Sequence, residues 1–337
     1  MRRSGLRARR TRRAVVTAAL GALVLALGVT SLILGKTVYP LGVVIRVIRG
    51  ETIQGATFAV GALRIPRMLT GVCAGFAFGV AGSTFQTMLR NPLASPDVIG
   101  VSSGASVAAV FCILVLRLSG AAVSASAVIA GVAVAALIYV LSRGGSFGGG
   151  RLILIGIGVG AMLNAVLSYL LLRAPQSDVP AAFRWLSGSL NGAAMDDLPP
   201  LLAALVVFCP VIFICGRTLK IMELGDDTAT AAGARVNLTR LLLTLSAVAL
   251  TAFATATTGP IAFVAFLSGP VASGMTGGGR ASALPSGLMG SALVLAADMI
   301  GQFAFDTRFP VGVVTGIIGA PYLMLLLVRI NKSGGSS

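Results

Sequence analysis

The groups in this chain that could ligate a metal, move a proton or attack a substrate are few, and their spacing supports none of those chemistries. There are four cysteines, ten carboxylates and no histidine. Cys73, Cys112, Cys209 and Cys215 lie inside or at the edges of apolar runs, and none forms a C-x-x-C pair. A zinc site or a Ser-His-Asp triad needs side chains this sequence does not supply. The cysteines read as small packing residues, and no metal site is expected. Gly35-Lys36-Thr37 ends like a phosphate-binding loop, but that motif needs glycine where Thr30 stands. The glycine run between Arg143 and Arg151 lacks the Lys-Ser/Thr of a phosphate cradle and reads as a flexible linker. The chain is therefore not expected to bind ATP or another cofactor.

Other patterns point to recognition. Arg64, Pro66 and Arg67 precede an apolar helix in which Gly71, Gly75 and Gly79 recur every fourth residue. That face lets a second backbone approach closely or leaves room for a path. Asp298 stands within an apolar run, where an acid pairs or lines a cavity. Residues 223–235 carry a short core of small residues between Gly225 and Gly233. Such a helix can seat in a partner's groove; an ordinary amphipathic loop helix is the alternative. Gly160, Asn164 and Ser168 share one face of a later apolar run and could line a path.

These residues must be positioned by membrane helices. The 337 residues are 56% hydrophobic and 11% charged, against about 25% charged in an ordinary soluble domain. Mean hydropathy is +0.96. Apolar runs of about 20 residues, long enough to span a bilayer, recur between clustered charges. The reading is an all-α polytopic membrane protein with ten spans, at about 14–34, 65–87, 98–117, 121–141, 152–172, 198–216, 240–257, 261–275, 285–304 and 311–329. Residues 1–13 form a basic cytosolic tail, 14–330 the transmembrane domain, and 331–337 a second tail. The first apolar run is too long for a signal-peptide core and is read as an uncleaved anchor. Residues 36–62 form an external segment with a short surface helix, and the loop at 276–284 holds Arg280. With both termini cytosolic, most of the 26 basic residues fall inside, as positive-inside topology requires. The formal net charge of +16 is explained by this punctuation of apolar runs, and no nucleic-acid surface is expected. Lys36, Arg46, Arg49, Arg64, Arg67 and Arg308 are among the cations left outside.

The stretch Arg64, Pro66, Arg67, Gly71, Gln86, Arg90, Asn91, Pro92, Leu93, Ala94, Pro96, Gly100, Gly104 and Ala105 resembles the signature of FecCD-type permeases, the membrane subunits of bacterial ABC importers for iron–siderophore complexes, haem and vitamin B12. The resemblance continues at Thr258 to Val264, at Asp298 and at Phe309 to Pro321, and covers roughly residues 60–330. It implies a type II ABC importer permease of ten helices, in the bacterial cytoplasmic membrane and surrounded by lipid. It implies that ATP and Mg are handled by separate ATPase subunits, so this chain is not itself an enzyme. A substrate-binding protein would dock its carboxylates on Arg64, Arg67 and Arg308. The ATPase would contact the loop at about 217–239, through Gly225, Asp226, Ala229, Ala232, Gly233 and Arg235. Two departures, Pro270 followed by Val271 with Ser273-Gly274 where arginine is usual, and Gln302 near where some members carry arginine, fit one of two unlike permeases paired as in ferric-siderophore importers. Ferric siderophore is the expected cargo, with vitamin B12 or haem as alternatives. An ion-coupled secondary transporter is the rival class. It would place ionisable groups at mid-membrane, where this chain offers chiefly Asp298.

Overall fold

The computed structural model describes residues 2–142, 149–277 and 282–334. The centre of the glycine-rich linker, residues 278–281 of the loop around Arg280 and the end of the C-terminal tail lie outside the described residues. The described residues form thirteen α-helices: α1 (Arg2–Ile33), α2 (Leu41–Ile48), α3 (Ile65–Met88), α4 (Val101–Leu114), α5 (Ala121–Ser142), α6 (Gly149–Arg173), α7 (Val179–Leu186), α8 (Leu198–Met222), α9 (Asp226–Ala231), α10 (Val236–Thr258), α11 (Val264–Thr276), α12 (Ala283–Phe303) and α13 (Val311–Gly334). Seven helical stretches are long and apolar enough to cross a membrane, and three shorter apolar helices (Val101–Leu114, Val264–Thr276 and Val311–Leu326) complete ten. These correspond to the ten spans read from the sequence.

The boundaries differ in places. Residues 2–13, read as a tail, continue α1 without a break. The segment Thr57–Arg64, read as external loop, is a wide π-helical turn running directly into α3. Pro66 is tolerated at that junction because the first turn of an α-helix has no internal partner for its N–H. The sixth span continues as helix to Met222, beyond the apolar stretch.

The core is built around α3, the best buried of the long spans together with α10. Its glycine face holds α12. A methyl group on Gly75 would overlap the backbone at Gly290 and Ser291, one on Gly79 the carbonyl of Ser286, and one on Gly82 the carbonyl of Ala265 in α11. Without a hydrophobic driving force between helices in lipid, such backbone approach supplies the dispersion contacts that hold them. Polar threads reinforce it: Ser291 Oγ donates to the Val72 carbonyl at 2.7 Å, and Gln86 Nε2 to the Phe266 carbonyl at 2.9 Å. Around this centre, α1 packs on α12 through Leu20 and Val24. Helices α5, α6 and α8 lie at the periphery with Ile129, Leu154, Met162, Leu172, Val206 and Ile214 exposed. In water that surface would aggregate; against lipid or another membrane subunit it is ordinary.

Candidate functional site

At the N-terminal end of α3, the π-helical turn and the first helical residues place Arg64 and Arg67 on a shared mouth. Arg64 Nη1 donates to the carbonyls of Leu32 and Ile33 at 2.8 and 2.9 Å, and Nη2 to that of Thr37 at 2.6 Å. It closes the last turn of α1, whose terminal carbonyls have no helical partner. Its guanidinium also lies 5.2 Å from the centroid of the Tyr39 ring, within cation–π range. Gly35 lies directly beneath it, and a side chain there would push the guanidinium aside.

Arg67 faces across to α12. Its Nε and Nη2 donate to Asp298 Oδ2 and Oδ1 at 2.8 and 2.7 Å, a bidentate pair, while Nη1 reaches Asn191 Oδ1 at 2.5 Å. Gln302, one turn further along α12, donates to Asp298 Oδ2 at 2.7 Å. The side chains of Arg67 and Asp298 are 17% and 4% exposed, so the pair is largely sheltered from water and screened little by salt. The pairing expected for an acid within an apolar run is met.

A cavity of about 470 Å³ joins these groups: Lys36, Arg64, Arg67 and Arg308 line it, with Asp298 as the single carboxylate. The three arginines picked from sequence thus share one mouth. Two are engaged within the chain. Arg308 is exposed and, like Lys36, has no hydrogen bond or ion pair among the described residues. Lys36 was legible as the middle of a failed phosphate motif and as one of the cations read as external, but it was not singled out as a site residue. Its signal was position, three residues beyond the end of α1.

At the opposite end of α3, α9 is a six-residue helix between Gly225 (φ 123°) and Gly233 (φ 82°), both in the left-handed half of backbone space. Glycine adopts those angles without steric cost, so the small-residue core folds as a separate helix at the place read from sequence. Ala229 is buried against Met222 and Val236. Asp226 also faces its own chain: Arg240 Nη2 donates to its Oδ2 at 2.7 Å, and Arg90 Nη2 lies 3.3 Å from its Oδ1. Leu224, Ala232, Gly233 and Arg235 are exposed.

A second cavity, of about 610 Å³, lies between the turn at 93–97, the start of α4, the segment 260–263 and α13. Its polar lining comes from Ser95, Asp97 and Ser102, and Ser102 Oγ donates to Asp97 Oδ1. Burial pushes the Asp97 carboxyl above its ordinary range, and the Ser102 hydroxyl opposes that only in part. Sequence reading missed this cavity, because its walls come from segments far apart in the chain. Gly160, Asn164 and Ser168 line neither cavity. Asn164 and Ser168 are exposed on α6, where the Ser168 hydroxyl donates to the Asn164 carbonyl at 2.9 Å.

Known proteins resemble this chain in sequence and fold. The sequence profile of the FecCD transport family matches residues 23–329. The ferric enterobactin transport system permease protein FepG of Escherichia coli (strain K12) is 37% identical over 284 residues, 84% of this chain and 86% of that one. The achromobactin transport system permease protein CbrC of Dickeya dadantii (strain 3937) is 36% identical over 311 residues, 91% and 89% of the two chains. The cobalamin import system permease protein BtuC of Halobacterium salinarum is 32% identical over 276 residues, 81% and 74% of the two. An inward-facing structure of a metal-chelate type ABC transporter has the same fold, with a TM-score of 0.77 at 24% identity over 94% of this chain and 99% of that one. With a match that runs from the first span to the last, the chain belongs to the FecCD transport family.

Proposed function

We propose that this chain is the membrane-spanning permease of an ATP-binding-cassette importer that carries a ferric siderophore across a bacterial cytoplasmic membrane. The observation that carries the reading is a cation-lined mouth and an exposed small-residue helix at opposite ends of one buried helix. The outer end of α3 opens on a mouth with four cations and one carboxylate. Its inner end touches a small-residue helix with an exposed outer face. The outer surface suits the carboxylates of a binding protein. The inner surface suits a groove on an ATPase, which would hold ATP and Mg and perform the hydrolysis. This chain does no chemistry; it alternates the access of a path. The termini lie in the cytosol, in keeping with the basic residues at the N-terminus.

Ferric siderophore is favoured as cargo because several relatives are named for such transport. FepG and FepD, two different permease proteins of Escherichia coli (strain K12), both carry the name of ferric enterobactin transport and are 37% and 36% identical to this chain. That favours a pair of unlike permeases here too. A vitamin B12 importer is the second reading, favoured by the match to the cobalamin permease BtuC.

The test is a pull-down of tagged chain from native membranes with mass spectrometry. An ATPase with a second, related permease is the expected result. An ATPase with this permease alone would favour a homodimer and the B12 reading. Uptake that runs on an ion gradient, with no ATPase bound, would overturn the importer reading.

A further inference from the structure

The best-defined polar node outside the outer mouth is at the cytosolic face, where one carboxylate is shared by arginines from two helices. Arg90 stands in the turn that ends α3, with φ at 52°, an angle uncommon for a residue with a side chain. Its Nη2 donates to the carbonyl of Met222, the last residue of α8, and faces Asp226 Oδ1 at 3.3 Å. Arg240, on the first turns of α10, donates to Asp226 Oδ2 at 2.7 Å. The Arg240 side chain is 9% exposed, so Asp226 stands against a buried cation. The ends of α3, α8, α9 and α10 therefore meet at a single carboxylate.

We propose that Asp226 is a positioning residue that fastens α9 to α3 and α10, so that α9 cannot be displaced without moving α3. This rests on the importer reading, in which an ATPase pushes on α9. The apolar anchor of α9 is small: Ala229 packs on Met222 and Val236, which belong to α8 and α10. The link to α3 comes through Arg90. Helix α3 then carries displacement outward as one rigid body of 24 residues, about 36 Å at 1.5 Å per residue. Its far end is tied by Arg67 to Asp298 in α12, at the mouth. Asp226 is only partly turned inward, its side chain 43% exposed, and Leu224, Asp227, Thr230, Ala232 and Arg235 are among the exposed residues beside it.

The experiment uses the complex purified through a tag on this chain and placed in lipid nanodiscs, with spin labels at the exposed outer positions Val38 and Phe305. The probe is Mg·ATP with vanadate. In the complex with native Asp226, trapping nucleotide shifts the label separation. In Asp226→Asn, the ATPase stays bound and the trapped nucleotide per complex stays within about twofold. The label shift falls to less than half, because the push on α9 no longer reaches α3. The double exchange D226R/R240D restores part of the shift by rebuilding an ion pair of reversed sense. A structural role alone would lower assembly or trapped nucleotide without separating them from the shift. A full shift in D226N overturns the proposal, and so does loss of the ATPase from D226N, which would place Asp226 in the docking surface. If no ATPase accompanies the chain with native Asp226, the importer reading fails first and takes this one with it. Hydrogen exchange on the assembled complex gives a second check. Amides of 226–233 are expected to exchange faster in D226N while those of 243–256 are unchanged, and an unchanged 226–233 segment would count against the tether.

Discussion

Among single residues, Arg67 and Asp298 carry the most consequential contact. Each has its charge sheltered, and each satisfies the other with two parallel hydrogen bonds. Removing one partner leaves a buried charge uncompensated, at a cost of about 3–5 kcal/mol, whereas replacing both by apolar residues of similar volume is nearly neutral. Arg67→Met and Asp298→Leu should each lower the thermal unfolding midpoint in detergent strongly, and the double variant should recover most of the loss. Additive losses would mean that the two side chains act independently. The acid was legible in the sequence as an anomaly within an apolar run. Its partner was not, because Arg67 and Asp298 are 231 positions apart.

At the scale of elements, α3 is defined by what its glycine face permits. Gly79 lies against backbone, while Gly21 on α1 has open space around it. Adding one methyl group at each therefore separates packing from propensity. Gly79→Ala forces α3 and α12 apart and should cost about 1–3 kcal/mol. Gly21→Ala meets nothing and should be neutral or slightly stabilising, since alanine is the better helix former. Equal midpoints for both variants in a melting experiment would refute the close approach. The four-residue glycine spacing predicted a contact face. Which helix occupies it followed only from the packing of α12 and α11 on α3.

For the whole molecule, charge divides between the two ends. The mouth at the N-terminal end of α3 gathers four cations from α1's C-terminal loop, the start of α3 and the segment after α12. Arg64 and Arg67 are held by carbonyls and by Asp298, so Lys36 and Arg308 present the accessible charge. Exposed charges act mainly on the rate of encounter and are screened by salt. Lys36→Glu with Arg308→Glu is expected to slow association with the binding protein at least tenfold at low salt, with the deficit shrinking as salt rises. Reversal at these positions without effect on the association rate would remove them from the docking surface.

The sequence by itself determined the spans, the small-residue α9 and the arginines worth attention. Apolar runs of bilayer length, clustered charges and fixed motif spacing are local properties that need no tertiary contact to be read. Tertiary structure decided which arginines are engaged. Guanidinium partners such as the Thr37 carbonyl and Asp298 come from other segments of the chain, and a hydrogen bond depends on where two chains of atoms end in space. It also decided that Asp226 pairs with Arg90 and Arg240 of its own chain, two partners that sequence reading did not name. A short helix between two glycines can present either face outward, and the choice was made by the buried Ala229 and by the cations waiting beside it.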